Sequence, residues 1–203
     1  MEPQPYRMQP QNYVPYKMVT QRRRPSKKSW DREMRELFCQ FTPTSPSVVI
    51  TFSENQPRLY KIWDISQKFL LLMNNILVAG PKTSNSPEQL ISVLPNITLD
   101  PKRQPIFMGL SDATQTLSCV KSNDGPPHLQ LVKENIVELY KKKEPSLSST
   151  FFSRTSGNQE TCCFESAAFP GWFISTSTEP NRPIHLSREG GADINVFYFE
   201  RKQ

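Results

Sequence analysis

Four cysteines are the side chains of this chain with the most obvious chemistry, and their spacing argues against a reactive role. Cys162 and Cys163 stand beside Glu165, which would suit a thiol nucleophile. The order of polar and apolar residues there, however, is typical of a half-buried strand. Cys39 and Cys119 are isolated, and no pair has the spacing of a metal site. We therefore expect free thiols buried as small hydrophobic side chains.

The remaining groups form no catalytic constellation either. His128 follows two prolines and is typical of a turn, while His185 has no second ligand type near it in sequence. No nucleophile–base pair, carboxylate pair or glycine-rich phosphate loop stands out. The sequence predicts neither an enzyme nor a metal or cofactor site.

Basic residues are distributed unevenly. Residues 1–28 hold seven Lys/Arg against one acidic residue, whereas residues 58–203 hold sixteen against fourteen. A nearly neutral body disfavours nucleic-acid binding there. The Arg22–Lys28 run could serve nuclear import or polyanion binding, or be a solvated tail. Lys141–Lys143 could bind a heparin-like polyanion, or lie in a solvated loop.

The sequence lacks signals for membrane targeting. It has neither an apolar run long enough to span a bilayer nor the apolar core of a secretory signal, so we expect cytosolic synthesis and no membrane insertion. The tripeptide Asn96–Thr98 is a glycosylation sequon. Without a signal peptide, it is not expected to reach the glycosylation machinery.

The first 52 residues are predicted to form a disordered leader. Five prolines interrupt residues 1–28, and such a segment cannot bury enough apolar surface to offset its ordering entropy. Ser29–Phe41 differs, because Trp30, Met34 and Leu37 recur at helical spacing. A transient helix is favoured there over one docked on the domain. The main boundary falls at about residues 50–58.

From residue 58 onward, the sequence changes to short β-prone runs separated by turn residues, which predicts a closed all-β body. One helical turn is expected at Asn135–Lys142. The twelve predicted strands are Leu59–Ile65, Phe69–Met73, Ile76–Val78, Leu90–Leu94, Pro105–Leu110, Thr116–Lys121, Leu129–Val132, Thr150–Ser153, Thr161–Ala167, Trp172–Ser177, Ile184–Ser187 and Asn195–Glu200.

A faint internal repeat suggests the arrangement of these strands. Blocks beginning at Ile62, Ile106 and Phe151 are about 45 residues apart, and each would hold about four strands. Three such units predict a β-trefoil of about twelve strands. Within the third block, Pro170-Gly171 marks a turn between two strands. The aromatic residues Phe169, Trp172 and Phe173 around it are expected to pack into the core.

Phe164–Thr176, with the sequence FESAAFPGWFIST, resembles the signature of the interleukin-1 cytokine family. Further blocks follow in family order over about residues 58–201, namely KIWDISQK from Lys61, NNILVAG from Asn74, LSCVK from Leu117, LQL from Leu129 and NVFYF from Asn195. The resemblance implies a β-trefoil cytokine domain at residues 53–203. It also implies a secreted, monomeric ligand of an interleukin-1-type receptor ectodomain in inflammatory and immune signalling.

The same resemblance implies details of processing and signalling. Family agonists also recruit an accessory receptor, whereas antagonists occupy the first receptor only. In the interleukin-36 branch, processing falls nine residues before an aliphatic-X-Asp motif. Ile62-Trp63-Asp64 fits that motif and implies a mature start at Ser53. The precursor would be cytoplasmic and released without a signal peptide, with a nuclear pool as the alternative for the basic run.

Segments near Ile91–Asn96 and Phe197–Phe199 are similar to the interleukin-1 and interleukin-36 receptor antagonists, which favours an antagonist over an agonist. Val196 stands where family members commonly carry Asp or Lys, and Pro81 and Thr83 depart from the Tyr and Gln of the interleukin-1 antagonist. Trp63 could instead be a core residue. The receptor-binding residues that the resemblance implies are Trp63, Gln67, Pro81, Thr83, Val196 and Tyr198.

Overall fold

The computed structural model describes residues 28–41, 56–85 and 87–202. Thirteen strands, two α-helices and two 3-10 turns make up these parts of the chain. The helices are α1 (Trp30–Phe41) and α2 (Ile136–Lys142), and the 3-10 turns are Pro101–Arg103 and Leu147–Ser149. The strands are β1 (Arg58–Asp64), β2 (Phe69–Met73), β3 (Ile76–Gly80), β4 (Ile91–Pro95), β5 (Pro105–Leu110), β6 (Thr116–Val120), β7 (His128–Val132), β8 (Thr150–Thr155), β9 (Thr161–Ser166), β10 (Trp172–Ser175), β11 (Arg182–Pro183), β12 (His185–Arg188) and β13 (Phe197–Lys202).

Strand pairing repeats three times along the chain. β1 pairs with β4 around the β2–β3 hairpin, and β5 pairs with β8 around the β6–β7 hairpin. β9 pairs with β13 around β10 and β12. Pairing of β4 with β5, β8 with β9 and β13 with β1 closes a six-stranded barrel. This three-unit arrangement confirms the predicted β-trefoil.

All twelve predicted strands are present, with their ends shifted by at most a few residues, and the short β11 is additional. The placement of the third repeat was wrong. Phe151 and Phe152 lie on β8, the last strand of the second unit, and the third unit begins at β9. The two strands are adjacent and antiparallel in the barrel, and both carry buried aromatic residues. A single aromatic block therefore could not distinguish them.

The FESAAFPGWFIST stretch spans β9 and β10, the first two strands of the third unit. Gly171 has φ +81, in the left-handed region that favours glycine, and its N–H donates to Oε1 of Glu165 at 2.8 Å. Phe173 is buried, while Phe169 and Trp172 are partly buried against the core. The predicted aromatic turn is confirmed.

Helix α1 differs from its sequence-based interpretation. The predicted helix is present, but it is docked rather than transient, since Trp30, Met34, Leu37 and Phe41 are buried in the same core as the barrel strands. This apolar side matches the predicted 3.6-residue periodicity. The expectation of disorder over residues 1–27, and the boundary near Ser53, lie outside the described residues.

Candidate functional site

Strands β1 and β13 place two of the predicted receptor-binding residues side by side. Along β1, Tyr60, Ile62 and Asp64 face inward, and the residues between them are less buried, as expected from the two-residue period of a strand. The antiparallel register sets Trp63 directly opposite Tyr198. Both side chains are half-buried on the outer face of the barrel. Trp63 is therefore a surface aromatic, not the core residue that the sequence left as an alternative.

Trp63 stacks on both sides. Its ring centroid is 5.9 Å from that of Tyr198, with planes 20° apart, and 5.5 Å from that of Phe69, with planes 25° apart. Phe69 is paired with Trp63 across β1–β2 and with Gly80 across β2–β3. Tyr198, Trp63 and Phe69 thus form one aromatic row across three strands. Stacked rings of this kind offer a large contact area with little rotamer entropy to lose.

A buried carboxylate holds the turn at one end of the row. Asp64 is fully buried, and its Oδ1 accepts hydrogen bonds from the backbone N–H groups of Ser66 and Lys68, each at 2.9 Å. Its Oδ2 accepts from Thr176 Oγ1 at 2.6 Å and forms an ion pair with Lys68 Nζ at 2.8 Å. The Asp of the Ile62-Trp63-Asp64 motif therefore has a structural role.

Gln67 and Val196 lie beside this turn. Gln67 is exposed with φ +64, and its N–H donates to the carbonyl of Asp64 at 2.9 Å. The carbonyl of Val196 accepts a hydrogen bond from the N–H of Ile65 at 3.2 Å. The structure thus brings both residues to the Trp63 end of β1.

Pro81 and Thr83 are exposed and directly follow β3, whose last residue pairs with Phe69. The segment that continues from them is tied to β1 through Glu88, which forms ion pairs with Lys61 Nζ at 2.8 Å and Lys82 Nζ at 2.7 Å. The hydrogen bonds from these two lysines lower the pKa of Glu88 to about 2. All six predicted residues therefore lie on β1, on β13 or in three connections, namely β1–β2, β3–β4 and β12–β13.

Two further residues of this surface were not predicted from the sequence. Phe69 completes the aromatic row, and Ile65 is 51% exposed at its edge. The aromatic side chain at the start of the predicted strand Phe69–Met73 could have indicated a surface contact residue. Which ring Phe69 stacks against, however, depends on the register between β1 and β2. Ile65 was assigned to a strand, and its exposure follows from the turn that Asp64 holds.

The described residues contain no group of three metal-ligating side chains. His185 Nε2 lies 3.1 Å from Asp193 Oδ2, and His128 is exposed. Within the same parts of the chain, no helix is long and apolar enough to cross a membrane.

Three of the four cysteines are buried, as predicted, but Cys39 is exposed on the outer side of α1. Burial raises the pKa of the Cys119 thiol to about 11 and also raises the pKa values of Cys162 and Cys163. These three thiols are therefore protonated at neutral pH and poor nucleophiles.

The polyanion candidates are partly neutralised. Lys141 and Lys142 form ion pairs with Glu138 and Glu134 at 3.0 and 2.6 Å, so two of the three lysines of that turn are paired with carboxylates. Of the Arg22–Lys28 run, only Lys28 is described, and its Nζ pairs with Glu36 at 2.7 Å.

Asn96, the sequon asparagine, is only 1% exposed. Its Nδ2 donates to the carbonyl of Pro145 and to Thr150 Oγ1, both at 2.8 Å. Its Oδ1 accepts from Thr98 Oγ1 at 2.6 Å. In the folded domain, this amide is a structural bridge between connections rather than an exposed glycan acceptor.

Comparison with known proteins decides the family. The family model described as Interleukin-1 / 18 matches residues 83–199. The chain belongs to the interleukin-1 family. Mouse interleukin-1 family member 10 is 39% identical over 145 residues, covering 70% of this chain and 93% of that protein. Mouse interleukin-36 receptor antagonist protein is 38% identical over 151 residues, covering 70% and 93% respectively.

Solved structures of the interleukin-1 family agree with the fold. The NMR structure of the pro-inflammatory cytokine interleukin-36alpha matches with a TM-score of 0.61 and 33% identity, covering 72% of this chain and 94% of that one. The relatives are cytokines, so the protein is an interleukin-1-family cytokine and not an enzyme. These relatives include a named receptor antagonist and a named pro-inflammatory cytokine at similar identity.

Proposed function

We propose that this cytokine binds an interleukin-1-type receptor ectodomain through the aromatic row of Tyr198, Trp63 and Phe69. The observation that carries the proposal is the stack itself, because three half-buried rings in line on an outer face form a preorganised anchor. Several relatives are named as receptor antagonists, which supports a receptor as the kind of partner. Gln67, Pro81, Thr83 and Val196 would form the polar and apolar rim.

The similarity of Ile91–Asn96 and Phe197–Phe199 to the receptor antagonists favours an antagonist over an agonist. Val196 has an uncharged side chain where family members commonly carry Asp or Lys, and this departure is compatible with either sign of signalling. Its carbonyl is already engaged with Ile65, which fixes the backbone there. We expect occupation of the first receptor without assembly of a signalling pair. An agonist of the same family is the alternative, consistent with the likeness to interleukin-36alpha.

Processing at Ser53 is part of the proposal, with a cytoplasmic precursor that is released without a signal peptide and acts outside the cell as a monomer. Ser53 itself lies outside the described residues. The Ile62-Trp63-Asp64 motif that implies it belongs to a rigid part of the domain, because Ile62 and Asp64 are both buried.

Reporter cells that each carry one interleukin-1-type receptor test the proposal. Both the full chain and a chain beginning at Ser53 are applied alone, and then together with the agonist of that receptor. Inhibition of the agonist without stimulation supports the antagonist assignment, and stimulation alone supports the agonist. No effect of either chain on any receptor, in either format, would contradict receptor binding altogether.

A further inference from the structure

Helix α1 packs its apolar side against one end of the barrel, where Tyr60, Phe164 and Phe199 lie. We call this end the barrel mouth. Trp30 is fully buried, and its ring lies 5.6 Å from Tyr60, 5.5 Å from Phe164 and 4.8 Å from Phe199, measured between centroids. Its three aromatic neighbours belong to three different barrel strands, β1, β9 and β13. Trp30 therefore fills the space between these strands.

The far end of the helix is held in the same way. Met34 and Leu37 are fully buried, and the ring of Phe41 meets Tyr140 of α2 edge-on at 5.3 Å. Contact thus extends over all three turns of α1. A helix whose whole apolar side is buried against a rigid domain is stabilised by that contact rather than by its own propensity.

A buried carboxylate fixes the position of α1 on the barrel. Glu33 is 2% exposed, and its Oε1 accepts hydrogen bonds from Tyr60 OH at 2.7 Å and from Arg58 Nη1 at 2.8 Å. Arg201 Nη1 lies 3.5 Å from the same oxygen. Glu33 therefore connects α1 to both β1 and β13, and a buried charge that loses these partners would be strongly disfavoured.

Arg58 strengthens this connection. Its Nη1 also donates to the carbonyl of Glu33 at 3.1 Å, and its Nε and Nη2 donate to Gln40 Oε1 at 3.3 and 3.1 Å. On the opposite edge of the helix, Gln104 Nε2 donates to Asp31 Oδ1 at 3.1 Å. The barrel mouth therefore recognises an apolar helix with a Trp, a Glu three residues later and polar groups along both edges.

Every one of these contacts joins residues 30–41 to residues 58–201. We propose that α1 stays bound at the barrel mouth as a separate chain after the connection at residues 42–55 is cut. The barrel mouth is then a binding site for an amphipathic helix, and its occupant is Trp30–Phe41 of the same protein. The processed cytokine is then still a monomer of the domain, but it carries the cleaved leader as a second, non-covalently bound chain. This inference rests on the proposed processing only in assuming that a cut occurs in this connection.

The position of α1 also decides how it would affect receptor binding. Its neighbours Tyr60 and Phe199 point into the barrel, whereas Trp63 and Tyr198 lie on the outer face of the same two strands. The helix does not cover the aromatic row, and it packs against the inner side of the β1–β13 strand pair. Cutting the connection would leave the receptor-binding face intact.

A recognition sequence for a site-specific protease, introduced within residues 44–51 of the full chain, tests the proposal. After complete cleavage, size-exclusion chromatography and native mass spectrometry at micromolar concentration should show both fragments in one particle. Elution of the leader fragment on its own would overturn the proposal. Because the cut is introduced, this result does not depend on the natural protease or on any receptor.

Three variants determine whether retention occurs through α1. Trp30→Ala and Glu33→Gln should release the leader after cleavage, whereas Arg35→Ala, at an exposed position on the same helix, should retain it. Retention of the leader in both Trp30→Ala and Glu33→Gln would overturn the proposal, because the contacts described above would not then hold it. Circular dichroism of the uncut variants checks that each is folded. If Trp30→Ala does not fold, the result for Glu33→Gln alone decides.

Exchange with a labelled peptide gives the affinity. A fluorescent peptide of residues 28–42 is added to the cleaved protein, and anisotropy reports its binding. The Glu33→Gln peptide should bind about tenfold to a hundredfold more weakly, the range expected for hydrogen bonds to a buried charged group. Equal affinity of the two peptides would contradict the proposed role of Glu33 at the site.

Discussion

Trp63 and Tyr198 lie directly opposite each other on β1 and β13, with ring centroids 5.9 Å apart and planes 20° from parallel. The two residues are 135 positions apart in sequence, so their stacking depends on closure of the barrel. It joins the first and last strands of the trefoil on the outer face. A single substitution can therefore test the surface with little disturbance of the core.

Trp63→Ala should weaken receptor binding by about 2 kcal/mol or more, as for other central aromatic anchors, while the domain remains folded. Surface plasmon resonance against the receptor identified in the reporter assay measures the binding, and thermal unfolding measures the fold. Ile76→Ala, at a 52% exposed apolar position on β3, is the control and should leave affinity unchanged. Unfolding of Trp63→Ala would contradict its assignment as a contact residue.

The sequence predicted the trefoil better than it predicted the site. The strand at Leu59–Ile65 and the turn at Pro170-Gly171 were predicted from local signals, and the structure confirms both. The partners of α1 are not local, because Arg58 lies 25 residues from Glu33 and Arg201 lies much further along the chain. The apolar side of α1 was therefore predictable, but its docking was not.

A similar limit applies to the aromatic row. Its members Trp63 and Tyr198 were assigned by resemblance, and Phe69 was missed because strand register determines which rings meet. Residue types alone could not show that Asp64 is buried under the turn that presents Gln67. Long-range pairing, rather than local propensity, decides each of these features.

Leu37→Ala should lower the free energy of unfolding of the full chain by about 2–5 kcal/mol, the cost of a cavity at a fully buried leucine. Equilibrium denaturation in urea measures the change. Arg35→Ala changes an exposed position of the same helix and should stay within about 0.5 kcal/mol. If Leu37→Ala had as little effect as Arg35→Ala, α1 would contribute nothing to the stability of the domain.

Asn96→Ala should cost about 1–3 kcal/mol, because it leaves the carbonyl of Pro145 and the hydroxyl of Thr150 without their buried donor. Thr98→Ala removes the sequon but keeps both of those bonds, so it should be milder. Urea denaturation compares the two variants. Equal losses would show that the bonds donated by Asn96 do not account for its contribution.

Only one thiol of the folded protein should react quickly with an aromatic disulfide reagent at pH 8. Cys39 is exposed, whereas Cys119, Cys162 and Cys163 are buried and have raised pKa values, so they remain protonated. Absorbance should report one equivalent before denaturation and four after it. Cys39→Ser should abolish the fast phase, and a fast phase that persists in this variant would contradict the burial of the other three.

Glu88 should make the domain sensitive to acid over a defined range. Its pKa in the folded state is lowered to about 2 by Lys61 and Lys82, so its stabilising effect is present in full above the unfolded pKa and is lost as pH falls towards 2. Glu88→Gln should therefore be less stable than the natural sequence at pH 7, and this difference should shrink between about pH 5 and pH 2. Urea denaturation at several pH values measures the stability difference.

The control variant is Glu138→Gln, which removes only an exposed ion pair with Lys141 and should differ little from the natural sequence at pH 7. A Glu88→Gln difference that stayed constant down to pH 2 would show that the ionised carboxylate is not its source.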